Sequence, residues 1–224
     1  MIYVYAFCPS SSKPLSMPAG IAHPTVQLVS GGQLEAIAEF DLDVSHIKDD
    51  DQQLINAVLT HDRVLGQMFT QTVLLPLRFG TQFTSRDALR TYLQTHQASY
   101  LQRLEVLGDK AEYLVKLAPN PLKLPPLDET LKGRDYFLAK KKRLQLQAQA
   151  QAQQDEELQR FLAHLQTTGV AFVQSTPQEG EERFHILSMR DIAIAEAQLT
   201  AWQQLVPSWQ LYCSEPLPPY HFAM

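Results

Sequence analysis

The sequence predicts an α+β fold in two domains. Three observations lead to this prediction. Short β-rich segments alternate with amphipathic helical segments in the first half, four prolines crowd into residues 119–126, and one long helical segment opens the second half. With 224 residues, of which 45% are hydrophobic, the chain is long enough to form two packed cores.

The first half is predicted to begin with three strands. Residues 2–7, IYVYAF, are β-branched and aromatic, and the turn-forming segment CPSSSKP follows them. The segment TVQLVSGGQLEAIAEF contains two stretches of alternating polarity joined at Gly31 and Gly32, where both residues can adopt positive φ. This pattern is typical of a β-hairpin.

A helix is predicted to begin after Asp50. Asp50 and Gln53 have the spacing of an N-terminal cap, and the apolar residues that follow share one helical face, namely Leu54, Ile55, Val58, Leu65, Met68 and Phe69. The acidic run Asp49, Asp50 and Asp51 could also suggest a metal site. Negative charge at a helix N-terminus complements the helix dipole and explains the run more simply.

Ser85 is predicted to cap a second helix that ends at Gly108. Its apolar stripe has spacings of three or four residues: Leu89, Leu93, His96, Tyr100, Leu104 and Leu107. The next segment, KAEYLVKLAP, alternates apolar residues with Glu112, Leu114 and Lys116 and indicates a strand. Strands and helices interleaved in this order predict one sheet with helices on one face, an elaborated ferredoxin-like domain over residues 1–118.

The prolines of segment 119–132 remove backbone donors and fix φ, so this segment is predicted to be a linker. Residues 133–224 are predicted to form an α+β domain. It would contain a helix to about Thr168, ~50 Å long, then a hairpin around Pro177–Gly180 and a helix from Asp191 to about Leu205.

The long helix carries a weak heptad pattern, which predicts a coiled-coil-like helix that projects in part or pairs with another helix. One seam position is held by Phe137, Leu144, Gln151, Leu158 and Leu165. The other is held by Lys141, Ala148, Asp155 and Leu162. The two charged residues weaken the pattern in the middle of the helix.

Composition and charge argue against several functional classes. A net charge of −5 and a pI near 5.8 oppose a broad nucleic-acid surface, which needs clustered Lys and Arg. Only Cys8 and Cys213 occur, so there is no disulfide framework and no CxxC pair for zinc. The absence of a basic leader or a window of ~20 apolar residues predicts a soluble, cytoplasmic chain.

No nucleophile elbow, phosphate-binding loop, dinucleotide glycine pattern or HExxH motif is present, and no cofactor is predicted. His61 and Asp62 could form an acid/base or metal pair, but adjacent helix residues point about 100° apart and a packing histidine is favoured. The run Lys140–Arg143 could contact phosphates or an acidic partner, but a solvated helix face explains it more simply.

The segment LLPLRFGTQF, residues 74–83, admits three interpretations. A phosphate loop needs more glycines and a helix N-terminus directly after it. An RNA-binding strand of the RRM type needs glycine directly after the basic residue, whereas Phe79 follows Arg78. An architectural strand fits: Pro76 suits a sheet edge or bulge, Gly80 permits a sharp bend, and Arg78 would be exposed or paired with a carboxylate.

Six segments, spread in order along the chain, form a recognisable set. They are MIYVYAF, HDRVLGQMF, VLLPLRFGTQF, AEYLVKL, GRDYFLAKKKR and PPYHF. Together they resemble the gas vesicle protein F/L family, and its F members in particular. The most specific parts are the HD pair and LPLRFGT.

The resemblance implies a non-enzymatic accessory and structural protein of gas vesicle assembly, located in the gas vesicle and the cytoplasm. It implies a modified ferredoxin-like first domain and a second α+β domain with a coiled-coil helix. The implied partners are the hydrophobic shell-forming subunit, gas vesicle protein A, whose premature aggregation the protein would limit, and other accessory proteins. No cofactor, metal, nucleic acid or membrane is implied.

The matching segments carry the expected partner-binding or family-signature residues, which are His61, Asp62, Pro76, Arg78, Phe79, Gly80, Gly133, Arg134, Tyr136, Pro219 and Tyr220. Binding by edge pairing near Pro76 to Phe83, or by the long helix, is the expectation for the shell subunit. The alternative function is an RNA- or nucleotide-binding module on a ferredoxin-like sheet. An enzyme with an unrecognised site between the domains is a third possibility.

Overall fold

The computed structural model describes residues 1–44, 47, 50–127 and 130–223, and for residues 192–195 it describes the backbone alone. These described residues form four helices and nine strands. Their contacts divide into two compact units, Met1–Glu112 with Pro216–Met224, and Tyr113–Glu215. The predicted mixed α+β class is confirmed, since both units combine helices with an antiparallel sheet.

The first unit contains a five-stranded sheet with the order β2-β3-β1-β4, and β5 also pairs with β1. The strands are β1 Ile2–Pro9, β2 Gln27–Ser30, β3 Leu34–Phe40, β4 Leu75–Pro76 and β5 Gln82–Phe83. All of these pairs are antiparallel. The predicted hairpin is confirmed: Gly31 N–H donates to Leu34 O over 2.9 Å, and Gly32 has a φ of 113°.

The two helices of this unit, α1 (Asp51–Phe69) and α2 (Arg86–Leu107), cover opposite faces of the sheet. Ile2 pairs with Phe83, whose ring centroid lies 5.2 Å from that of Tyr92 in α2. Tyr3 contacts His61 of α1, with ring centroids 5.7 Å apart. Residues paired across neighbouring strands lie on the same face of a sheet, whereas successive residues of one strand point to opposite faces. Ile2 and Tyr3 therefore mark the two faces, one covered by α2 and the other by α1. The prediction of helices on one face was therefore wrong, and the nearly continuous apolar run of β1 suits a strand buried on both faces.

Both predicted helix caps of the first unit are confirmed. The Asp50 carboxylate accepts from the N–H groups of Gln52 and Gln53 over 2.9 and 3.0 Å, and Ser85 Oγ accepts from Ala88 N–H over 3.1 Å. Asp49 of the acidic run lies outside the described residues.

The predicted apolar face of α1 was partly wrong, because Ile55 and Val58 are 53% and 42% exposed. Its buried residues are Ala57, His61, Val64, Leu65, Met68 and Phe69. The buried stripe is therefore rotated, with a histidine at its centre. The stripe of α2 was predicted correctly at Leu89, Leu93, Leu104 and Leu107, which are buried.

The second unit has a four-stranded sheet with the order β7-β8-β6-β9. Its elements are β6 Lys110–Pro119, α3 Gly133–Thr167, β7 Phe172–Gln178, β8 Glu181–Met189, α4 Ile192–Leu205 and β9 Trp209–Cys213. The predicted hairpin is confirmed and turns at Glu179 and Gly180, which have φ values of 54° and 81°.

The long helix α3 has the predicted length, 35 residues. Only Glu157, Phe161 and Leu165 are fully buried, and all three lie in its C-terminal third. Phe137 and Leu144, two of the predicted seam residues, are 69% and 57% exposed. The helix therefore contributes to the core of the second unit through one end.

The two units differ in extent from the predicted domains. Val115–Pro119 of β6 pair with β9, so most of this strand belongs to the second unit. The C-terminal segment returns to the first unit, where Glu112 and Leu217 exchange two backbone hydrogen bonds of 3.0 and 2.8 Å. The proline-rich segment 119–132, of which residues 128 and 129 lie outside the described part, thus falls inside the second unit. The ferredoxin-like and coiled-coil descriptions stay predictions.

Candidate functional site: a groove beside an edge strand

The segment LLPLRFGTQF forms two short strands that both pair with β1. Leu75 and Pro76 lie opposite Phe7 and Ala6, and Phe83 lies opposite Ile2. Between the strands the chain turns at a glycine with a φ of 89°, at position 80, where a side chain would be strained. The sharp bend predicted at Gly80 is present. Leu75 lies opposite Phe7, which packs against α2, whereas Phe79 packs against His61 of α1, so the two apolar residues lie on different faces of the sheet.

The structure places Pro76 on the edge strand of this sheet. Leu77 N–H donates to Tyr5 O over 2.9 Å, so the neighbouring Pro76 nitrogen points away from β1. Because proline has no N–H, this outward position offers no donor to an added strand. Edge pairing at Pro76 is therefore disfavoured, and the neighbouring surface is the better candidate for binding.

His61 of α1 is buried against this segment. Its Nε2 lies 3.1 Å from Leu77 O, which can only accept, so Nε2 carries the proton and Nδ1 accepts from the Tyr3 hydroxyl over 2.7 Å. Its ring also packs against Tyr5 and Phe79, with centroids 5.2 and 5.8 Å away. Burial lowers the pKa of His61 and outweighs the opposing effects of Leu77 O and Asp62. The predicted packing role of His61 agrees with these contacts.

Replacing His61 by phenylalanine is expected to reduce the free energy of unfolding of the first unit by about 2 kcal/mol, since two buried hydrogen-bonding groups lose their partner. It should also change the pH dependence. A histidine whose folded pKa is depressed stabilises above its unfolded value, about 6.5, and this contribution is lost as pH falls through the folded value.

Urea unfolding followed by circular dichroism at pH 5 and pH 8 would measure both effects of H61F. The wild type should lose more stability than the variant between pH 8 and pH 5. An equal loss in the two proteins would contradict the assignment of a buried neutral histidine.

The C-terminal segment completes this side of the first unit. Tyr220 donates its hydroxyl to the exposed Asp62 carboxylate, and burial together with this bond raises the pKa of Tyr220. His221 N–H donates to the buried Glu112 carboxylate over 2.8 Å, and His221 Nδ1 lies 2.7 Å from the same group. These bonds hold the PPYHF segment, with Pro219, against residues more than 100 positions earlier in the chain.

Between these elements lies a groove of about 500 Å³. Its lining comes from β1, the 75–81 segment, α2 and the C-terminal segment, and the lining residues are Phe7, Leu75, Pro76, Leu77, Arg78, Thr81, Tyr92, Tyr100, Arg103, Tyr220 and Ala223. Most are aromatic or aliphatic, which is typical of a surface that binds an apolar ligand or peptide.

Two arginines give the groove a positive charge. Arg78 is exposed, and Arg103 donates to Ala223 O over 3.1 Å. Of the described residues that line the groove, none is an aspartate or glutamate, although the whole chain carries a net charge of −5. The groove therefore favours a partner that combines apolar side chains with a carboxylate.

The sequence did not point to the groove residues from α2. The hydroxyl groups of Tyr92 and Tyr100 form a hydrogen bond of 2.7 Å, and the Phe7 ring packs against both tyrosine rings. Burial and the hydrogen bond with Tyr92 raise the pKa of Tyr100 to about 12. The spacing of Tyr92, His96 and Tyr100 was a usable signal, because three rings four residues apart share one helix face.

The structure brings together eight of the predicted signature residues in the first unit, at or beside the groove: His61, Asp62, Pro76, Arg78, Phe79, Gly80, Pro219 and Tyr220. Gly133, Arg134 and Tyr136 lie in the first turns of α3, in the second unit. Whether any of these residues binds a partner stays a prediction.

The polar side chains of the groove lining carry hydroxyl and guanidinium groups. Among the lining residues that the structure describes, none carries a carboxylate, thiol or imidazole. Among the described residues, no helix has an apolar stretch that could cross a bilayer.

Comparisons with known proteins agree with this description. Gas vesicle protein F of Streptomyces sp. (strain CB03234) is 34% identical over 118 residues, which are 51% of this chain. The match covers 47% of that relative, so it spans about half the length of the curated protein.

Two crystal structures share the fold. They are gas vesicle protein GvpF from Microcystis aeruginosa and from Anabaena sp. PCC7120, each with a TM-score of 0.68 and 16% identity. The alignments cover 100% of this chain and 98% and 95% of those chains. The family model described as "Gas vesicle synthesis protein GvpL/GvpF" matches residues 1–224, the whole sequence. This chain therefore belongs to the GvpL/GvpF family of gas vesicle synthesis proteins.

Proposed function

We propose that this chain is a non-enzymatic accessory protein of gas vesicle assembly that binds the apolar shell-forming subunit, gas vesicle protein A, and limits its aggregation. The observation that carries the proposal is the aromatic groove beside Pro76. Family membership supplies the gas vesicle context, and the groove supplies a surface suited to an apolar protein segment.

The groove suits a chaperone-like role for a physical reason. A shell subunit with exposed apolar surface self-associates until that surface is covered. The aromatic rings of Phe7, Tyr92 and Tyr100 can cover such a segment, while the donor missing at Pro76 keeps the groove from adding further strands to the sheet. Binding of one shell-subunit segment in the groove, without strand pairing to further subunits, would slow the aggregation of the shell subunit.

The proposal is tested by co-purification of the shell subunit with this chain and by light scattering of the shell subunit as it aggregates. Wild-type protein should retain the subunit and delay the rise in scattering. Arg78→Glu should weaken retention by about five- to tenfold, because it reverses a charge at the groove.

Arg90→Glu is the matched control, since Arg90 is an exposed arginine of the same unit that does not line the groove. Equal retention by the two variants would refute the groove as the binding site. Failure of the wild type to retain the subunit or delay aggregation would refute the function itself. Salt-sensitive RNA binding in place of subunit binding would favour the nucleic-acid alternative.

A further inference from the structure

The middle of α3 carries an exposed face whose residues are arranged symmetrically about Ala148. We call these residues the α3 seam: Lys141, Leu144, Ala148, Ala152 and Asp155. They lie four and seven positions before and after Ala148, so they fall on one side of the helix. All five are exposed, and Leu144 has 57% of its surface accessible.

The charges of the seam have opposite signs at its two ends. Lys141 lies seven residues before Ala148 and Asp155 lies seven residues after it. Beside them, Lys140 and Glu156 are also exposed and lie eight residues to either side. In a single chain Lys141 and Asp155 are about 21 Å apart, and Lys140 and Glu156 about 24 Å, at 1.5 Å per residue, so neither pair can form a direct ion pair.

Pairing with a second copy would bring these charges together in one orientation alone. In a parallel, in-register pair, Lys141 would face Lys141 of the partner subunit, and the two Asp155 carboxylates would also face each other. Like charges at facing positions destabilise a helix pair. In an antiparallel pair that crosses at Ala148, Lys141 faces Asp155 of the partner subunit, and Lys140 faces Glu156 of the partner subunit.

The apolar residues of the seam fit the same antiparallel register. Ala148 would meet Ala148 of the partner subunit at the crossing point, where two small side chains allow the helices to approach closely. Leu144 would pack against Ala152 of the partner subunit, so that a large residue meets a small one in the layers on either side. This register also accounts for the weak heptad pattern, since the two charged residues that interrupt it become partners.

We propose that two copies of this chain associate through antiparallel α3 helices centred on Ala148. The interface is symmetric, so each seam contributes the same residues to both halves. Four opposite-charge pairs surround the apolar layers. A contact of this length is small, so the dimer is expected to be reversible, with a dissociation constant in the micromolar range. The proposal is independent of shell-subunit binding.

Disulfide cross-linking tests the register directly. One cysteine is introduced by Ala148→Cys, Lys141→Cys or Asp155→Cys into the full chain carrying Cys213→Ser, in which the remaining Cys8 is buried. Each protein is then oxidised under mild conditions. Ala148→Cys should form a cross-linked dimer by itself. Lys141→Cys alone and Asp155→Cys alone should form none, whereas a mixture of these two should form one.

The cross-linking result can overturn the proposal in two ways. Cross-linking of Lys141→Cys by itself as efficiently as in the mixture would show a parallel or random association. The absence of a cross-link with Ala148→Cys would show that the helices do not cross there.

Charge reversal tests the pairing without covalent trapping. Sedimentation velocity from about 5 to about 200 μM should show concentration-dependent dimers of the wild type. The dimers of the K140E/K141E and D155K/E156K variants should each have a dissociation constant at least tenfold higher. In each variant the four charged side chains at positions 140, 141, 155 and 156 have the same sign in both copies, so they repel each other. An equimolar mixture of the two should recover dimers.

Circular dichroism of each variant alone confirms that α3 stays folded. A wild type that is monomeric throughout this range would overturn the proposal, and so would a mixture that stays as monomeric as its components.

Discussion

Replacing Glu39 by glutamine is expected to lower the free energy of unfolding of the first unit by about 3 kcal/mol, because hydrogen bonds to a buried charged group each contribute about 1.5–3 kcal/mol. The Glu39 side chain is 1% exposed. It accepts from the N–H groups of Ile21, Ala22 and His23 over 2.8, 2.6 and 2.7 Å and from the Tyr5 hydroxyl over 2.5 Å. A glutamine would direct an N–H₂ group at donors and leave several of them unpaired.

The pH dependence of this effect follows from the direction of the pKa shift. Burial alone would raise the pKa of Glu39, but the hydrogen bonds from Tyr5, Ala22, His23 and Ile21 outweigh it and lower the pKa. A carboxyl group with a depressed folded pKa stabilises above its unfolded value of about 4.3, and this contribution is lost as pH falls through the folded value. The difference between wild type and Glu39→Gln should therefore be full at pH 7 and shrink in acid.

Urea unfolding monitored by far-ultraviolet circular dichroism at pH 7 and pH 3 would measure the Glu39 effect. Glu35→Gln is the matched control, because Glu35 lies on the same strand and accepts one exposed bond of 3.3 Å from Ser10. It should change stability by less than about 0.5 kcal/mol. Equal effects of the two substitutions would contradict the role assigned to the Glu39 carboxylate.

The Phe161→Ala substitution is expected to lower the free energy of unfolding of the second unit by about 3–5 kcal/mol, the usual cost of removing a fully buried phenylalanine. Phe161 is completely buried, and its ring centroid lies 5.3 Å from that of Phe184 and 5.8 Å from that of Trp202. These residues belong to the core of the second unit, with Val115, Leu117, Leu165, Ile186, Val206 and Trp209.

Tryptophan fluorescence provides a selective measurement of this change, because the two tryptophans of the chain, Trp202 and Trp209, both lie in the second unit. The matched control is Phe137→Ala on the same helix, where the side chain is 69% exposed and the expected change is below about 0.5 kcal/mol. If Phe137→Ala were as destabilising as Phe161→Ala, the assignment of the two ends of α3 to solvent and core would be wrong.

Local sequence patterns predicted the elements of this fold well. The hairpin at Gly31 and Gly32, the caps at Asp50 and Ser85 and the length of α3 depend on residues close together in sequence, and all were predicted. The family could also be identified, because its signature segments are short and contiguous. The mixed α+β class follows from the order of these elements.

The tertiary contacts could not be predicted in the same way. Glu39, Glu112 and Glu157 are buried carboxylates, and each accepts from the backbone N–H of a segment 16 to 109 residues away. Nothing beside them in the sequence marks them as buried, and Glu112 was expected on the outer side of its strand. The groove depends equally on long-range contacts, since α2 and the C-terminal segment supply residues that no motif connects to Pro76.

The return of residues 216–223 to the first unit has a consequence for biosynthesis. Glu112 and Asp62 receive their partners His221 and Tyr220 only after the second unit has been translated. During synthesis the N-terminal sheet can therefore form early, but the buried Glu112 carboxylate gains the bond from His221 N–H only after residue 221 has been added. The groove of a nascent chain therefore stays incomplete until Tyr220 and Ala223 have joined the first unit.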